Sequence, residues 1–266
     1  MTMQAFIKDE TKCEVFGYIF QHLKLFSQNI NLRFCEDKLY VQGMDGAHVS
    51  IFELKINSSW FDKYQVDEDT VVGVNSNILF KILNTRSQNQ TIALSVQGDN
   101  FEVDLVEIDL ENDKKNDFNK YFKVPTIEID CETLEIPDAE YELNMTINSK
   151  KFKSIVDQLA TFGDVIAITN SNETIHLKSE SDEEGAMKID VNLNDLEGYE
   201  FEEDIKIDAT YSAKYIQNMT QFLKISKNVQ ILITNNMPIQ ISYHIDGETS
   251  EENYIRFFLA PKIQDD

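Results

Sequence analysis

The sequence predicts an α+β fold built from one structural unit used twice. Strand-like and helix-like patterns run in the order strand, helix, several strands, helix, strands, and that order then recurs. Apolar positions coincide at an almost constant offset. With a shift of 136, Phe16 falls on Phe152, Ile19 on Ile155, Leu23 on Leu159, Phe26 on Phe162, Ile30 on Ile166, Leu32 on Ile168, Leu39 on Ile175 and Val41 on Leu177. One further residue of shift continues the match through Val74 and Tyr211, Leu79 and Ile216, Ile82 and Met219, Ile92 and Val229, Leu94 and Ile231, and Val96 and Ile233. At 266 residues the chain is long enough for two domains of ordinary size.

The first half opens with a strand at Ala5–Ile7. From Val15 to Phe26 the apolar residues Phe16, Ile19, Phe20, Leu23 and Phe26 recur at helical spacing and make one stripe. Alternating patterns predict strands at Ile30–Phe34 and Leu39–Val41, then a strand across Val49–Ile56. Asp45-Gly46 marks a turn between the last two and makes His48 a hairpin flank. A second helix is predicted over Ser76–Asn84, followed by strands at Ile92–Val96 and Phe101–Leu105. Residues 142–266 repeat the series. Between the halves, Lys120–Tyr141 starts as an alternating strand and ends in the polar, proline-marked run from Glu135 to Glu140, which reads as a connector. The predicted organisation is a domain over 1–124, a connector over 125–141 and a domain over 142–266.

Hydrophobic residues at 42% and aromatics at 11%, with 9 Gly and 4 Pro, exclude a disordered or collagen-like chain. No apolar run approaches the roughly 20 residues of a membrane span, so no membrane association is expected. The first ten residues lack the basic and apolar regions of a signal peptide. Cys13, Cys35 and Cys131 are too few and too scattered for a disulfide framework or a metal motif, as expected of a reducing compartment. The formal charge of −23 argues against nucleic acid if it is spread evenly.

It is not spread evenly. The windows Val15–Gln28, Asn75–Arg86, Thr146–Val156 and Tyr211–Lys227 contain no Asp or Glu, in a chain with 47 of them. They carry Lys24, Lys81, Arg86, Lys150, Lys151, Lys153, Lys214, Lys224 and Lys227 instead. A solvated polar face would account for lysines on helices. The exclusion of acids from all four windows points further, to one surface built to meet a polyanion. Flexible lysines on helix faces would contact phosphates without reading bases.

Catalytic arrangements are missing. The sequence has no phosphate-binding glycine loop, no GxSxG, no HExxH and no paired metal motif, and His22, His48, His176 and His244 are widely spaced. No enzymatic activity, cofactor or metal is expected.

Several stretches are recognisable together. They are the run Tyr40–Leu54 with its MDxxHVxxxxL pattern, Trp60–Tyr64, Val72–Asn75, Lys81–Leu83, Leu134–Pro137 and the terminal FLAPKI of Phe258–Ile263. The chain resembles the eukaryotic-type DNA sliding clamps, the proliferating cell nuclear antigen family, from about Met3 to its end.

The resemblance implies two duplicated clamp domains per chain and a homotrimeric ring, with helices lining the inner face around duplex DNA and antiparallel sheets outside. Subunits would join through edges near Asn119–Val124 and Gly185–Asn192. It implies a processivity factor for replication and repair, opened by a separate clamp loader. Its place would be the nucleus, or a viral replication compartment if a virus encodes it. DNA polymerase, flap endonuclease, ligase and the loader would dock through short peptides, the PIP box, at Met44, His48, Val49, Leu134, Ile136, Pro137, Tyr141, Pro238, Phe258, Leu259, Ala260, Pro261 and Ile263. The DNA channel would carry Lys24, Lys81, Lys150, Lys151, Lys153, Lys214 and Lys224.

The chain departs from the family at several of these places. Gly17 and Tyr18 stand where a basic pair is usual, and Ser154, Asp157 and Gln221 replace further basic residues, which implies a weaker grip on DNA. Asn172 occupies the position of the usual ubiquitin and SUMO acceptor lysine. Phe258 replaces a common tyrosine. Two other readings stay open at this point: a subunit of a heterotrimeric checkpoint-type clamp, and an acidic clamp-like interaction protein that never encircles DNA.

Overall fold

The computed structural model describes residues 2–98, 100–107, 118–130, 133–136, 139–171, 174–201, 206–247 and 252–262. The first repeat runs β1 (Thr2–Ile7), α1 (Glu10–Leu23), β2 (Asn29–Phe34), β3 (Lys38–Met44), β4 (Ser50–Asn57), β5 (Lys63–Val66), β6 (Thr70–Asn75), α2 (Ser76–Leu83), β7 (Gln90–Gln97), β8 (Asn100–Glu107) and β9 (Lys120–Val124). The second runs β10 (Leu143–Asn148), α3 (Ser149–Leu159), β11 (Val165–Ser171), β12 (Thr174–Ser181), β13 (Gly185–Asn192), β14 (Gly198–Phe201), β15 (Asp208–Ser212), α4 (Ala213–Met219), β16 (Asn228–Ile233), β17 (Ile239–His244) and β18 (Tyr254–Leu259). Element by element, the series is the same.

The pairings repeat as well. The order β5-β1-β7-β8-β9 in the first repeat recurs as β14-β10-β16-β17-β18 in the second, and β6-β2-β3-β4 recurs as β15-β11-β12-β13. All the registered pairs are antiparallel. Ile30 lies opposite Val74 in the first repeat, and Ile166 lies opposite Tyr211 in the second. These are the offsets of 136 and 137 read from the sequence, now expressed as hydrogen-bond register.

Contacts divide the chain into two compact units. One holds Met1–Gly46, Glu53–Leu134 and Glu251–Tyr254; the other holds Ala47–Phe52, Glu135–Ser250 and Ile255–Asp266. Each unit thus takes a short piece from the other repeat. In the first unit the Asn57 N–H donates to Asn253 Oδ1 at 2.6 Å. In the second, the Ala260 N–H donates to the Val49 carbonyl at 2.9 Å.

Both helix pairs pack on their own sheets by the predicted stripes. In α1, Phe16, Ile19, Phe20 and Leu23 are buried, with Phe16 against the rings of Phe20 and Trp60 at 4.9 and 6.5 Å. In α3 the buried set is Phe152, Val156 and Leu159; Ile155, the counterpart of Ile19, is only half-buried. A common clasp closes each pair. Ser76, the first residue of α2, donates its hydroxyl to the Ser27 carbonyl at 2.7 Å, and Ser149, the first residue of α3, donates to the Ser226 carbonyl at 2.9 Å. Both hydroxyls are buried, so each bond satisfies groups that water cannot reach.

α1 begins earlier than the stripe predicts. Asp9 caps it by accepting from the Lys12 N–H at 2.9 Å, which adds a first turn holding Glu10 and puts Glu14 inside the helix as well. α1 has 14 residues and α3 has 11, and the difference lies wholly at the N-terminal end. Asp157 lies inside α3. The expectation of acid-free helices is therefore corrected: the four windows lack acids, but α1 and α3 extend beyond their windows and include three.

Candidate nucleic-acid interface and docking face

The helices position most of the cations. Asn75 caps α2 by accepting from the Asn77 and Ile78 N–H groups, both at 3.1 Å, and Lys81 sits in the last turn, where a cation suits the carbonyl end of the helix. Asn148 caps α3 in the same way, through Lys150 and Lys151. Lys81, Lys150, Lys151, Lys214 and Lys224 are exposed. Lys24 follows the end of α1, with Nζ 4.1 Å from the centre of the Phe80 ring, a cation–π seat that holds the charge at the α1–α2 junction.

Lys153 is different. Its Nζ pairs with Asp157 Oδ2 at 2.8 Å, so this expected channel cation is already neutralised within its own helix. The other oxygen of Asp157 accepts from Gln217 Nε2 on α4 at 3.1 Å.

The expected docking residues fall in two groups, one per unit. In the first unit, Gln42 grips the connector by both polar atoms of its amide. Its Nε2 donates to the Leu134 carbonyl at 2.9 Å and its Oε1 accepts from the Leu134 N–H at 2.8 Å. The Tyr40 hydroxyl, 3.1 Å from Gln42 Nε2, donates to Glu53 at 3.0 Å and steadies this grip. Burial and the neighbouring Glu53 push the Tyr40 hydroxyl's pKa up, so it stays a donor. Leu134 is held by its backbone while its side chain is 40% exposed. Met44, at the end of β3, is half-buried. The sequence reading missed Gln42, because an amide that binds a main chain 92 residues away leaves no local pattern.

In the second unit, the loop before β4 and the end of the chain lie side by side through the Ala260–Val49 bond. The terminal run then follows β15: the Lys262 N–H donates to the Thr210 carbonyl at 2.7 Å, and the Thr210 hydroxyl donates to the Lys262 carbonyl at 3.1 Å. Tyr211, on the same strand, donates to the Met237 carbonyl at 3.4 Å. Tyr141 is half-buried; burial raises the pKa of its hydroxyl, against the opposing pull of Arg256. Val49 and Met237 are exposed, at 37% and 38%, and Ile136, Pro238, Phe258 and Pro261 are half-buried. Met237 is a second residue that the sequence reading passed over, and the only sign of it is the turn signal Asn235-Asn236 directly before it.

Two backbone positions stand out here. His48 has φ 60° and Asn236 φ 61°, both left-handed without glycine. For Asn this is tolerated; for His it stores strain of about 1 kcal/mol, in a loop that presents Val49. Leu259 is 1% exposed and points into the core, so it supports this surface from below and cannot itself meet a partner. Ala260 is exposed. Pro137 and Ile263 lie outside the described residues. Among the described residues no helix is long and apolar enough to cross a membrane, and no group of three His, Cys, Asp or Glu could hold a metal.

Two copies of one sheet-and-helix unit, with paired helices that carry the cations, define the fold of the DNA clamps. The chain belongs to the proliferating cell nuclear antigen family: the model of that family's N-terminal domain matches residues 9–133 and that of its C-terminal domain residues 135–262. It is 29% identical to the probable DNA polymerase sliding clamp 2 of Paramecium bursaria Chlorella virus 1, over 89% of this chain and 83% of that one. It is 26% identical to proliferating cell nuclear antigen of Chaetomium thermophilum, over 92% and 93% of the two chains. It is also 26% identical to proliferating cell nuclear antigen 2 of Plasmodium falciparum, over 95% and 97%. A chain from the PCNA2–PCNA3 complex of Sulfolobus tokodaii shares the fold with a TM-score of 0.83 at 23% identity, over 98% of this chain and 99% of that one.

Proposed function

We propose that this protein is a DNA sliding clamp with no chemistry of its own. Three copies close head to tail into a ring around duplex DNA, with the helices inward, and tether polymerase, flap endonuclease and ligase where DNA is replicated. That place is the nucleus, or a viral replication compartment. A separate loader opens the ring, and residues 125–141 serve as connector between domains over 1–124 and 142–266. Confinement raises the local concentration of each tethered enzyme, so a weak hold on DNA suffices.

The observation that carries this reading is a pair of strand edges that nothing covers among the described residues. The edge of β6 is covered by the connector, whose Ile127 N–H donates to the Gly73 carbonyl at 2.9 Å, and β15 is covered by Lys262. β5 and β14 are short, at 4 residues each. β9 and β13 remain, with 5 and 8 residues, each ending its sheet. Phe118 and Tyr121 beside and on β9 are 89% and 67% exposed. β9 is the counterpart of β18, and β13 of β4. The chain end that leaves β18 already bonds to Val49 at the start of β4, so β9 meeting β13 of another copy would repeat between chains a contact made once within the chain. Such a head-to-tail contact closes a ring and removes two exposed edges.

Light scattering tests the assembly: three times the 30.8 kDa chain mass is expected, and a persistent monomer overturns the homotrimer. A species that needs a different partner chain would favour a heterotrimeric clamp instead. Retention on circular but not linear DNA tests encirclement. For docking, Val49→Ser with Ile136→Ser should weaken a PIP-box peptide at least tenfold while the ring mass stays unchanged; undiminished binding removes the docking assignment.

A further inference from the structure

One arrangement on α3 weakens the cationic face that sliding would use. Asp157 stands among the expected channel cations and is engaged on both sides, with Lys153 at 2.8 Å on its own helix and Gln217 at 3.1 Å on the next. The pair is open to solvent, with the Lys153 and Asp157 side chains 26% and 40% exposed. It also runs in the less favourable order for a helix, with the cation four residues before the acid. Such a pair adds little to the helix and yields to a better anion.

Resting on the sliding reading, we propose that Asp157 tunes the strength of the hold on DNA, as an internal competitor that occupies Lys153 until a backbone phosphate displaces it. Each phosphate contact at Lys153 then begins by breaking an ion pair and ends by re-forming it. The contact is therefore short-lived, and the second repeat moves along the duplex more freely than the exposed lysines alone would allow. The link to Gln217 keeps the carboxylate in place while Lys153 is away. In the first repeat, by contrast, Lys24 rests on a ring that offers no rival anion.

The experiment is a salt titration of binding to a labelled linear duplex, by anisotropy, with the full chain. Asp157→Asn keeps an acceptor for Gln217 and removes the charge. It should tighten binding several-fold at low salt and steepen the slope of log K against log salt by about 0.9 for each added phosphate contact. Adding Lys153→Met should abolish both changes, since the gain acts through that lysine. Gln217→Ala, which spares the ion pair, should keep the wild-type slope. The proposal is overturned if Asp157→Asn leaves the slope unchanged, if its gain survives Lys153→Met, or if Gln217→Ala reproduces it. Lys81→Glu with Lys214→Glu tests the reading beneath: unimpaired DNA binding there removes the DNA channel itself, whereas impaired binding beside an inert Asp157→Asn removes only the competitor.

Discussion

The helix pair of the first repeat and that of the second share topology, register and a buried serine clasp, yet they differ in how they hold charge and where they begin. α1 carries an extra N-terminal turn with Glu10, and its pair fixes Lys24 over an aromatic ring. α3 starts at Ser149, the counterpart of Cys13, and spends Lys153 on Asp157. Duplication preserved what packs against the sheets and left the outer faces free to diverge. Core positions answer to many neighbours at once, whereas an exposed side chain answers to few.

The largest expected effects lie in the core that the two helix pairs share. Phe16→Ala and Phe152→Ala should each cost about 3–5 kcal/mol. Phe16, stacked among Phe20 and Trp60, should stand at the upper end of that range. Urea unfolding measures both, and a larger loss at Phe152 would refute the ranking.

A smaller effect separates Cys13 from Ser149. Burial pushes the Cys13 thiol up to about 11. Between the unfolded value near 9 and that value, the unfolded chain loses a proton that the folded chain keeps, so stability falls as pH rises through the window. Cys13→Ala should remove about 2 kcal/mol of that alkaline loss, read as a flatter dependence of the urea midpoint from pH 8 to 11. Ser149→Ala should leave the slope as it is.

The smallest contrast lies at the helix starts. Asn75 caps α2 with two bonds, while Ser212, its counterpart before α4, makes no side-chain cap bond. Asn75→Ala should cost about 1 kcal/mol and Ser212→Ala only a few tenths. Equal losses by thermal denaturation would mean that the caps do not distinguish the repeats.

Much of this was legible in the residues. The stripe Phe16–Leu23 and the alternations at Ile30–Phe34 and Ile92–Val96 lie where the structure puts them, because helix and strand periods are local. The short β5 and β14 left too little pattern to be seen, and the start of α1 was misplaced because its first turn is polar outside its cap. Of the expected docking residues, Val49 and Leu134 present exposed apolar surface, but Leu259 turns inward. The alternation along β18 decides that, and strand register cannot be read from a terminal motif alone.

The sequence by itself determined the duplication, the α+β class, the family and the concentration of lysines in the helical segments, since each is written in periodicity, offset or motif. Only the tertiary structure decided that Asp157 neutralises Lys153 and that Gln42 holds Leu134. The Gln42 contact joins residues far apart in the chain. The pairing of Asp157 spans a single helical turn, but four-residue spacing only permits such a bond, and the side chains' conformations and the position of α4 decide whether it forms.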